Sequence, residues 1–398
     1  MLALSMPLES APVITAIIYY DGSTLPYMSA FVGGLKQLSV DIGFKFCVSR
    51  ALPDFMKEAQ FEISRTFIEK AGFDDSQGIA LNCTGLFQAY LRDGSSFFFC
   101  IDASDHAEFS KTADGVYYGY HIPLLEKSGL YFKVNFNKNA LATAPALGTL
   151  AERIRPLPVV YPAPITDYWN YLPARLPMSL ISRRRGFAVQ RMKDIFNLVS
   201  MGKLSRFRSA QKSLDTFFVV NYYDKAQDNE FRLELIARLR EASGLNAIAG
   251  FASHHPLPAP YERYRVSRYR IADYMAMLSK SRVSIYCRGV HDCLSFKLGS
   301  YLEMGLPIVG QRLCNNQAFY STHGPIWGQF AYDDPHDIVA SVREAVREPT
   351  RLRDLARANA EFFDQHLSPA SLAGRVVETL IARGCNFPAP DTNLSTFH

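Results

Sequence analysis

The stretch SRVSIYCRGVHDCLSFKLGSYLEMGLPIVG, residues 281–310, decides the fold of this chain. It begins with a β-branched and aromatic run over 283–287, which is typical of a buried strand. After a loop, residues 295–304 carry apolar side chains at helical spacing, and Gly305 ends the predicted helix. A second strand then begins at 307–309. A strand, a loop, a helix and a strand in this order predict a βαβ unit, and therefore a parallel sheet.

The start of the predicted helix is a candidate anion site. Ser295 is the predicted N-cap, and free backbone N–H groups at a helix start can bind an anion. Lys297 adds a positive charge in the first turn, where the helix macrodipole disfavours a cation unless an anion is bound. Glu303 follows about two turns later, on a side that could reach a sugar hydroxyl. The alternative is an ordinary βαβ segment in which Lys297 and Glu303 are only solvated.

Length and composition set the broad class. A content of 48% hydrophobic and 20% charged residues is typical of a folded protein. Because 398 residues are too many for one compact core, we expect two domains. Seven cysteines form no CxxC motif and show no disulfide rhythm, which favours a reducing cytoplasm. The net charge of +5 favours an anionic ligand or surface without requiring nucleic acid. We predict no signal peptide, and no apolar run is long enough to span a bilayer.

The first half of the chain shows the same α/β order. Residues 13–20 predict a strand, 26–38 a helix and 44–49 a second strand, with the turn Asp21-Gly22-Ser23 after the first strand. This turn is not a GxGxxG fingerprint, so dinucleotide binding is not predicted. Further predicted elements are a helix over 55–71, a strand over 79–83, a helical turn over 86–91, and strands over 96–101 and 129–135.

An acidic loop with one histidine follows the apolar strand 96–101. It carries Asp102, Asp105, His106 and Glu108, and ligands of open α/β sheets bind beyond the carboxyl ends of strands. A carboxylate or an imidazole there could act as a general base, so Asp102, Asp105 and His106 are candidates. One histidine among carboxylates is a weak metal pattern, so no metal site is predicted. The alternative is an Asx-rich turn that caps the next helix.

Residues 183–212 form a basic segment, in which apolar residues recur at roughly helical spacing. A basic amphipathic helix can lie on an anionic membrane surface or follow a phosphate backbone. The alternative is a connecting helix with a solvated face.

The second half continues with a strand over 216–221, a helix over 231–242 and a strand over 245–251. A tyrosine- and arginine-rich loop through residue 270 leads to a predicted helix over 271–279, which precedes the stretch 281–310. Helices over 337–347, 349–363 and 368–383 end the folded part.

Residues 279–281, the following strand and loop, SFKLGSYLEMGLPIVG at 295–310 and the last helix resemble the donor-binding half of GT-B glycosyltransferases, over roughly the last 120 residues. The resemblance implies two Rossmann-like α/β domains that face each other across a cleft. It places Lys297 on the donor phosphates and Glu303 on the ribose. Many retaining members carry a second glutamate seven or eight residues earlier, where this chain has Phe296 and Ser295. The absence of this second glutamate favours an inverting mechanism over a retaining one.

The same resemblance implies the remaining site residues. The loop before residue 270 borders the nucleotide base in the family, and Tyr131-Phe132-Lys133 resembles a motif of bacterial polysaccharide glycosyltransferases. The donor-binding candidates are Ser295, Phe296, Lys297, Glu303, Gly289, His291, Tyr264 and Arg270. The acceptor-binding candidates are Gly22, Glu108 and Lys133.

We therefore expect a glycosyltransferase that moves a sugar from a nucleotide-sugar donor to a saccharide, glycolipid or other hydroxyl acceptor in surface polysaccharide or lipopolysaccharide synthesis. The donor is a co-substrate, and no cofactor is expected. A helix end and basic residues can stabilise the departing phosphate, so no metal is needed. The alternatives are a nucleotide-sugar epimerase on the same fold and a non-catalytic protein that binds polyanions or a membrane surface.

The expected organisation is an acceptor-binding domain over 1–205, a donor-binding domain over 206–366, a helix over 367–384 that crosses back to the first domain, and a loose tail over 385–398. The expected location is the cytoplasm, with peripheral contact at the inner face of the membrane as a further expectation.

Overall fold

A computed structural model of the protein describes residues 14–49, 53, 55, 83–111, 117–171, 185–223, 226–323 and 332–384. The predicted helix over 55–71, most of the predicted strand over 79–83, and the tail over 385–398 lie outside the described residues, as do Arg183 and Arg184.

The chain forms two compact units. The first comprises residues 1–196 and 368–398, and the second comprises residues 197–367. The sequence prediction put this boundary further along the chain, between 205 and 206. The last helix, predicted to return to the first domain, is grouped with the first unit.

A six-stranded sheet forms the centre of the first unit, in the order β2-β1-β3-β4-β7-β8. Its strands are β1 Ile14–Tyr20, β2 Lys45–Ser49, β3 Thr84–Leu91, β4 Ser96–Asp102, β7 Ser128–Lys133 and β8 Ile154–Pro156. The short strands β5 Ser110–Lys111 and β6 Tyr117–Tyr118 pair separately. Within the six-stranded sheet, β3 runs antiparallel to both neighbours, and the other pairs are parallel.

The prediction of a helical turn over 86–91 is wrong, because these residues belong to β3. The strand lies inside the sheet and is buried along almost its whole length, so it shows no alternation of polar and apolar residues. The missed signal is the dipeptide Asp93-Gly94 between β3 and β4, where Gly94 has φ of 84°. Asp-Gly between two apolar runs is a strong hairpin signal.

The first unit contains the helices α1 Leu25–Ile42, α2 Ile122–Lys127, α3 Lys138–Ala142 and α11 Pro369–Gly384, and α4 Arg185–Met201 runs from it into the second unit. Gly34 allows α1 to lie directly against the start of α11. A Cβ built on Gly34 would lie 1.8 Å from the carbonyl oxygen of Pro369. This close approach of two backbones therefore requires a glycine.

The second unit is built on a fully parallel five-stranded sheet in the order β11-β10-β9-β12-β13. Its strands are β9 Leu214–Asn221, β10 Ala247–Ala252, β11 Arg265–Val266, β12 Ser281–Tyr286 and β13 Ile308–Gly310. The chain builds outward in one direction through β10 and β11, and then in the other through β12 and β13. The parallel βαβ unit and the α/β class with two Rossmann-like sheets are thereby confirmed.

The helices of the second unit are α5 Ala226–Glu241, α6 Ile271–Ser279, α7 Lys297–Glu303, α8 Gln317–His323, α9 Pro335–Val346 and α10 Pro349–Phe362. Apolar side chains of α5 and α9 form one core with the strands, and α6 and α7 pack against β12. The order of the strands reverses between β9 and β12, and ligands of such sheets bind outside the strand ends at this switch point. None of the helices in the described ranges is long and apolar enough to cross a membrane.

Candidate functional site

Lys297 reaches across the switch point of the second unit. Its side chain starts in the first turn of α7, and its Nζ donates a hydrogen bond to the carbonyl oxygen of Val219 in β9, at 3.2 Å. The ammonium also lies 5.1 Å from the centre of the Tyr274 ring. The lysine predicted to bind phosphate is therefore held near the carboxyl ends of β9 and β12.

Arg232 in α5 is a second cation beside the same strand ends, and it is only 5% exposed. Its Nη2 donates to the carbonyl oxygen of Arg288 at 3.1 Å, and its guanidinium lies 5.1 Å from the centre of the Tyr223 ring. Its Nη1 is buried and has no hydrogen-bond partner among the described residues. A buried charge that keeps an unused donor is costly unless a further partner compensates it.

Three cations act on Cys287, the residue that directly follows β12. Burial raises the pKa of its thiol to about 12, although Arg232, Lys297 and Arg288 all act to lower it. We call these three residues the cation crevice. Arg288 pairs with Asp292 at 3.1 Å and with Asp333 at 3.6 Å.

The other two cations of the crevice, Arg232 and Lys297, lack such compensation from the residues that the structure describes. Within the described part of the chain, no carboxylate lies within 4.0 Å of the charged nitrogens of Arg232 or Lys297. Because an opposite charge nearby favours the charged form and offsets desolvation, this arrangement is suited to an anion.

The loops beside the crevice contain strained backbone. His291, Asp292 and Asn316 have φ of 60°, 57° and 52°, which is unusual for residues other than glycine. The Nδ2 of Asn315 donates to the carbonyl oxygen of Asp292 at 3.2 Å and so joins the loops that follow β12 and β13. Backbone strain of this kind concentrates at ligand sites. The predicted residue His291 is exposed within this loop.

Gly289 has a packing reason to be glycine. A Cβ on this residue would lie 2.2 Å from the Sγ of the buried Cys293. The predicted donor-site glycine therefore lets the loop after β12 close on itself beside Arg288.

The start of α7 differs from the prediction. Phe296, not Ser295, stands in the N-cap position, and its side chain makes no capping hydrogen bond. The hydroxyl of Ser295 accepts a long hydrogen bond of 3.4 Å from the backbone N–H of Lys297. The helix has only seven residues. The positive potential at this place therefore comes from the side chains of the cation crevice rather than from a capped helix start.

Glu303, which was predicted to bind the ribose, forms hydrogen bonds inside the second unit. It is 5% exposed, and its Oε1 accepts hydrogen bonds from the backbone N–H groups of Leu204 at 2.8 Å and Ser205 at 3.3 Å. Burial raises the pKa of this carboxyl, while the two hydrogen bonds act to lower it. The geometry gives Glu303 a structural task, which is to cap the short helical turn Leu204–Phe207.

Tyr264 and Arg270, expected near the nucleotide base, do not join the crevice. Tyr264 is 6% exposed and packs in the core, with the guanidinium groups of Arg263 and Arg240 at 4.5 and 5.2 Å from its ring centre. The side chain of Arg270 is 88% exposed and pairs with Asp273 at 2.7 Å. The buried ring leaves no free face for stacking on a base.

In the first unit, Asp102 and Lys133 form a buried ion pair. The Nζ of Lys133 lies 3.0 Å from Asp102 Oδ2, and the two side chains are 0% and 1% exposed. The Tyr131 hydroxyl donates to the same oxygen at 2.5 Å, and the Ser104 backbone N–H donates to Oδ1 at 2.7 Å. Burial alone would raise the pKa of Asp102, but Lys133, Tyr131 and Ser104 together hold it below its ordinary value. These contacts give Asp102 and Lys133 a positioning task inside the first unit, and their predicted roles as general base and acceptor contact stay predictions.

The buried pair positions the loop that carries the other catalytic candidates. Lys133 Nζ donates to Ser104 Oγ at 2.6 Å, and Asn135 Nδ2 donates to the Ser104 carbonyl oxygen at 2.8 Å. Directly after Ser104, Asp105 is exposed and His106 is half-buried. Glu108 is exposed in the same loop. Within the described ranges no cluster of three or more metal-ligating side chains occurs.

The turn that contains Gly22 is held from α4. Arg191 Nη2 donates to Asp21 Oδ1 at 2.9 Å and to the carbonyl oxygen of Ser23 at 3.0 Å. Arg191 is 2% exposed, so this member of the basic segment serves the interior of the first unit and is not a surface cation. Gly22 lies between the two residues that Arg191 holds and is itself buried.

Arg232 and Arg288 were not among the site residues predicted from the sequence. A signal for Arg232 exists, because it shares one face of α5 with the buried residues Leu235, Ile236 and Leu239. A basic residue on the apolar face of an amphipathic helix is unusual, because buried charged side chains are normally paired with an opposite charge or a hydrogen-bond acceptor. Arg288 lies in the loop after the buried strand β12, and no sequence pattern there indicates a binding residue.

Comparison with known proteins adds distant structural likenesses. No protein-family model and no curated protein matches the chain. Solved structures that it resembles include WaaG, a glycosyltransferase involved in lipopolysaccharide biosynthesis, at 10% identity and TM-score 0.40, covering 92% of this chain and 99% of that one. The spinosyn forosaminyltransferase SpnP matches at 12% identity and TM-score 0.38, covering 93% and 100%. A glycosyltransferase from Rickettsia africae ESF-5 matches at 9% identity and TM-score 0.37, covering 65% of this chain and 64% of the length of that protein. The assignment of the fold rests on the strand order described above.

Proposed function

We propose that the protein is a glycosyltransferase whose second unit binds the phosphate groups of a nucleotide-sugar donor in the cation crevice. The observation that carries the proposal is the buried Nη1 of Arg232, which has no hydrogen-bond partner among the described residues and lies beside Lys297 at the switch point of a parallel sheet. A diphosphate supplies the negative charge and the acceptor oxygens that these two cations lack among the described residues.

The proposed chemistry assigns roles by position. Lys297 and Arg232 stabilise the negative charge that develops on the departing phosphate, since donors fixed in a desolvated place cost little reorganisation during the reaction. Asp105 or His106 takes the proton of the acceptor hydroxyl as general base. An inverting outcome, independence of metal, and an acceptor from surface polysaccharide or lipopolysaccharide synthesis are the finer parts of the proposal.

A thermal-shift experiment with UDP, GDP, CMP and dTDP tests the donor site. A ligand at about 100 times its Kd stabilises the native state by about 2.7 kcal/mol, and the melting temperature rises accordingly. We expect one nucleotide to stabilise the wild type and to lose this effect in Lys297→Ala and Arg232→Met. Arg238→Gln is the matched control, because Arg238 lies on the same helix in a surface pair with Glu234 at 2.7 Å.

The unliganded variants separate loss of binding from loss of folding. Because Arg232→Met removes a poorly compensated buried charge and keeps a similar volume, its melting temperature without nucleotide should be no lower than that of the wild type. If no nucleotide shifts the wild type, or if Arg232→Met keeps the full response, the donor site is wrong. Conversion of the donor into an isomer without any acceptor would identify an epimerase instead.

A further inference from the structure

Helix α4 carries an exposed apolar stripe. Val189, Met192, Phe196 and Val199 are 48%, 43%, 74% and 48% exposed, and they recur at intervals of three and four residues. Half of the eight large apolar side chains that are conspicuously exposed in the described residues lie on this one helix face. Scattered exposed apolar residues are normal, whereas a contiguous row marks an interaction surface.

A second face of α4 is buried inside the protein. Ile195, Leu198 and Met201 are buried on this face, which also carries Arg191. The only acid of the helix, Asp194, is 6% exposed and accepts a hydrogen bond from Gln190 at 2.7 Å. The exposed surface of the helix therefore presents the apolar stripe together with Lys193, Asn197 and Ser200, without a carboxylate among its described side chains.

Basic residues dominate the chain on both sides of the stripe. Between residues 168 and 214 the sequence holds ten Lys and Arg residues, among them the buried Arg191 and the paired Arg208, against Asp194 as the single acid. Lys193 on the helix and Lys203, two residues after its end, are exposed. A narrow apolar face flanked by cations is the arrangement of a helix that lies in the headgroup region of an anionic bilayer.

We propose that the apolar stripe of α4 docks the protein on an anionic lipid surface, independently of the donor site. The stripe spans eleven residues, about 15 Å along the helix, so it inserts its side chains shallowly and parallel to the membrane plane. A second copy of the chain fits this face poorly, because four partly exposed side chains offer far less than the ~800 Å² per partner of a stable interface.

Vesicle flotation tests the proposal. The full chain is mixed with vesicles of phosphatidylcholine alone, or of phosphatidylcholine with about 30% phosphatidylglycerol, whose anionic headgroup gives the vesicle a negative surface potential. We expect binding to the anionic vesicles that decreases with salt. We also expect a loss of about tenfold or more in Phe196→Ser, because a large apolar side chain no longer enters the bilayer. Val40→Ser is the matched control, since Val40 is 77% exposed on α1.

Each outcome decides the question. If Phe196→Ser binds as well as the wild type, the attraction is only electrostatic and the stripe is not the docking element. Failure of the wild type to bind anionic vesicles also overturns the proposal, as does a concentration-dependent dimer that Phe196→Ser abolishes. The nucleotide response of Phe196→Ser should equal that of the wild type, so failure here is distinguishable from failure of the donor site.

Discussion

Replacing Lys133 by methionine should destabilise the first unit strongly at neutral pH. The substitution removes the ammonium that lies 3.0 Å from Asp102 Oδ2, and the carboxylate then stays at 1% exposure without its cation. Breaking a buried pair by removing one partner costs about 3–5 kcal/mol. At roughly 2–4 °C per kcal/mol for a domain of about 150–250 residues, the melting temperature should fall by about 6–20 °C.

The pH dependence has a definite sign. In the wild type the pKa of Asp102 is held below its ordinary value, so this carboxylate stabilises the fold above its unfolded pKa, and the contribution is lost as pH falls through the folded pKa. In Lys133→Met burial dominates and raises the pKa of Asp102. Protonation then relieves the penalty, and the difference in melting temperature between variant and wild type should shrink from pH 7 towards pH 5.

Thermal unfolding of Lys133→Met, Asp102→Asn and the double variant measures the coupling of the pair. The double variant should recover much of the loss of either single variant, because it leaves no unpaired charge in the interior. Lys127→Met is the matched control, since Lys127 is exposed at the end of α2 and its loss should cost within about 0.5 kcal/mol. Equal melting temperatures of Lys133→Met and the wild type would refute this prediction. A loss of activity in Asp102→Asn at full stability would also refute it, because Asp102 would then be the catalytic base.

Two further predictions concern stability. Burial lowers the pKa of Lys212 from 10.5 to about 8, so stability should rise with pH between about 8 and 10.5, by less than about 1.4 kcal/mol per pH unit because the side chain is only partly buried. Lys212→Met should remove this part of the slope in unfolding titrations, and an unchanged slope would contradict it. Gly34→Ala should cost about 1–3 kcal/mol, because its Cβ would meet the Pro369 backbone at 1.8 Å, whereas Gly33→Ala, with its nearest neighbour at 3.9 Å, should be neutral or stabilising by up to about 1 kcal/mol. Equal melting temperatures for these two variants would show that α1 and α11 can separate without cost.

Local patterns in the sequence were sufficient for four of the five strands of the parallel sheet in the second unit, whereas β11 lies in the segment predicted to be a loop. The run 283–287, the apolar spacing over 295–304 and Gly305 each describe a few neighbouring residues, and periodicity and glycine conformation act over such distances. Lys297 could be recognised in the same way, since its place depends only on its distance from the start of α7. The buried strand β3 could not, because a short apolar run has no period that separates strand from helix.

The sequence by itself determined the α/β class, the order of most elements and the presence of a cation at the switch point. The tertiary structure decided which charged groups are available to a ligand. Asp102 meets Lys133 across 31 residues, and Glu303 meets the backbone of Leu204 across 99 residues. Arg232 meets the Arg288 carbonyl across 56 residues. Partners so far apart are joined by strand pairing and helix packing, and no local spacing records whether a buried charge has found its partner or awaits one from a ligand.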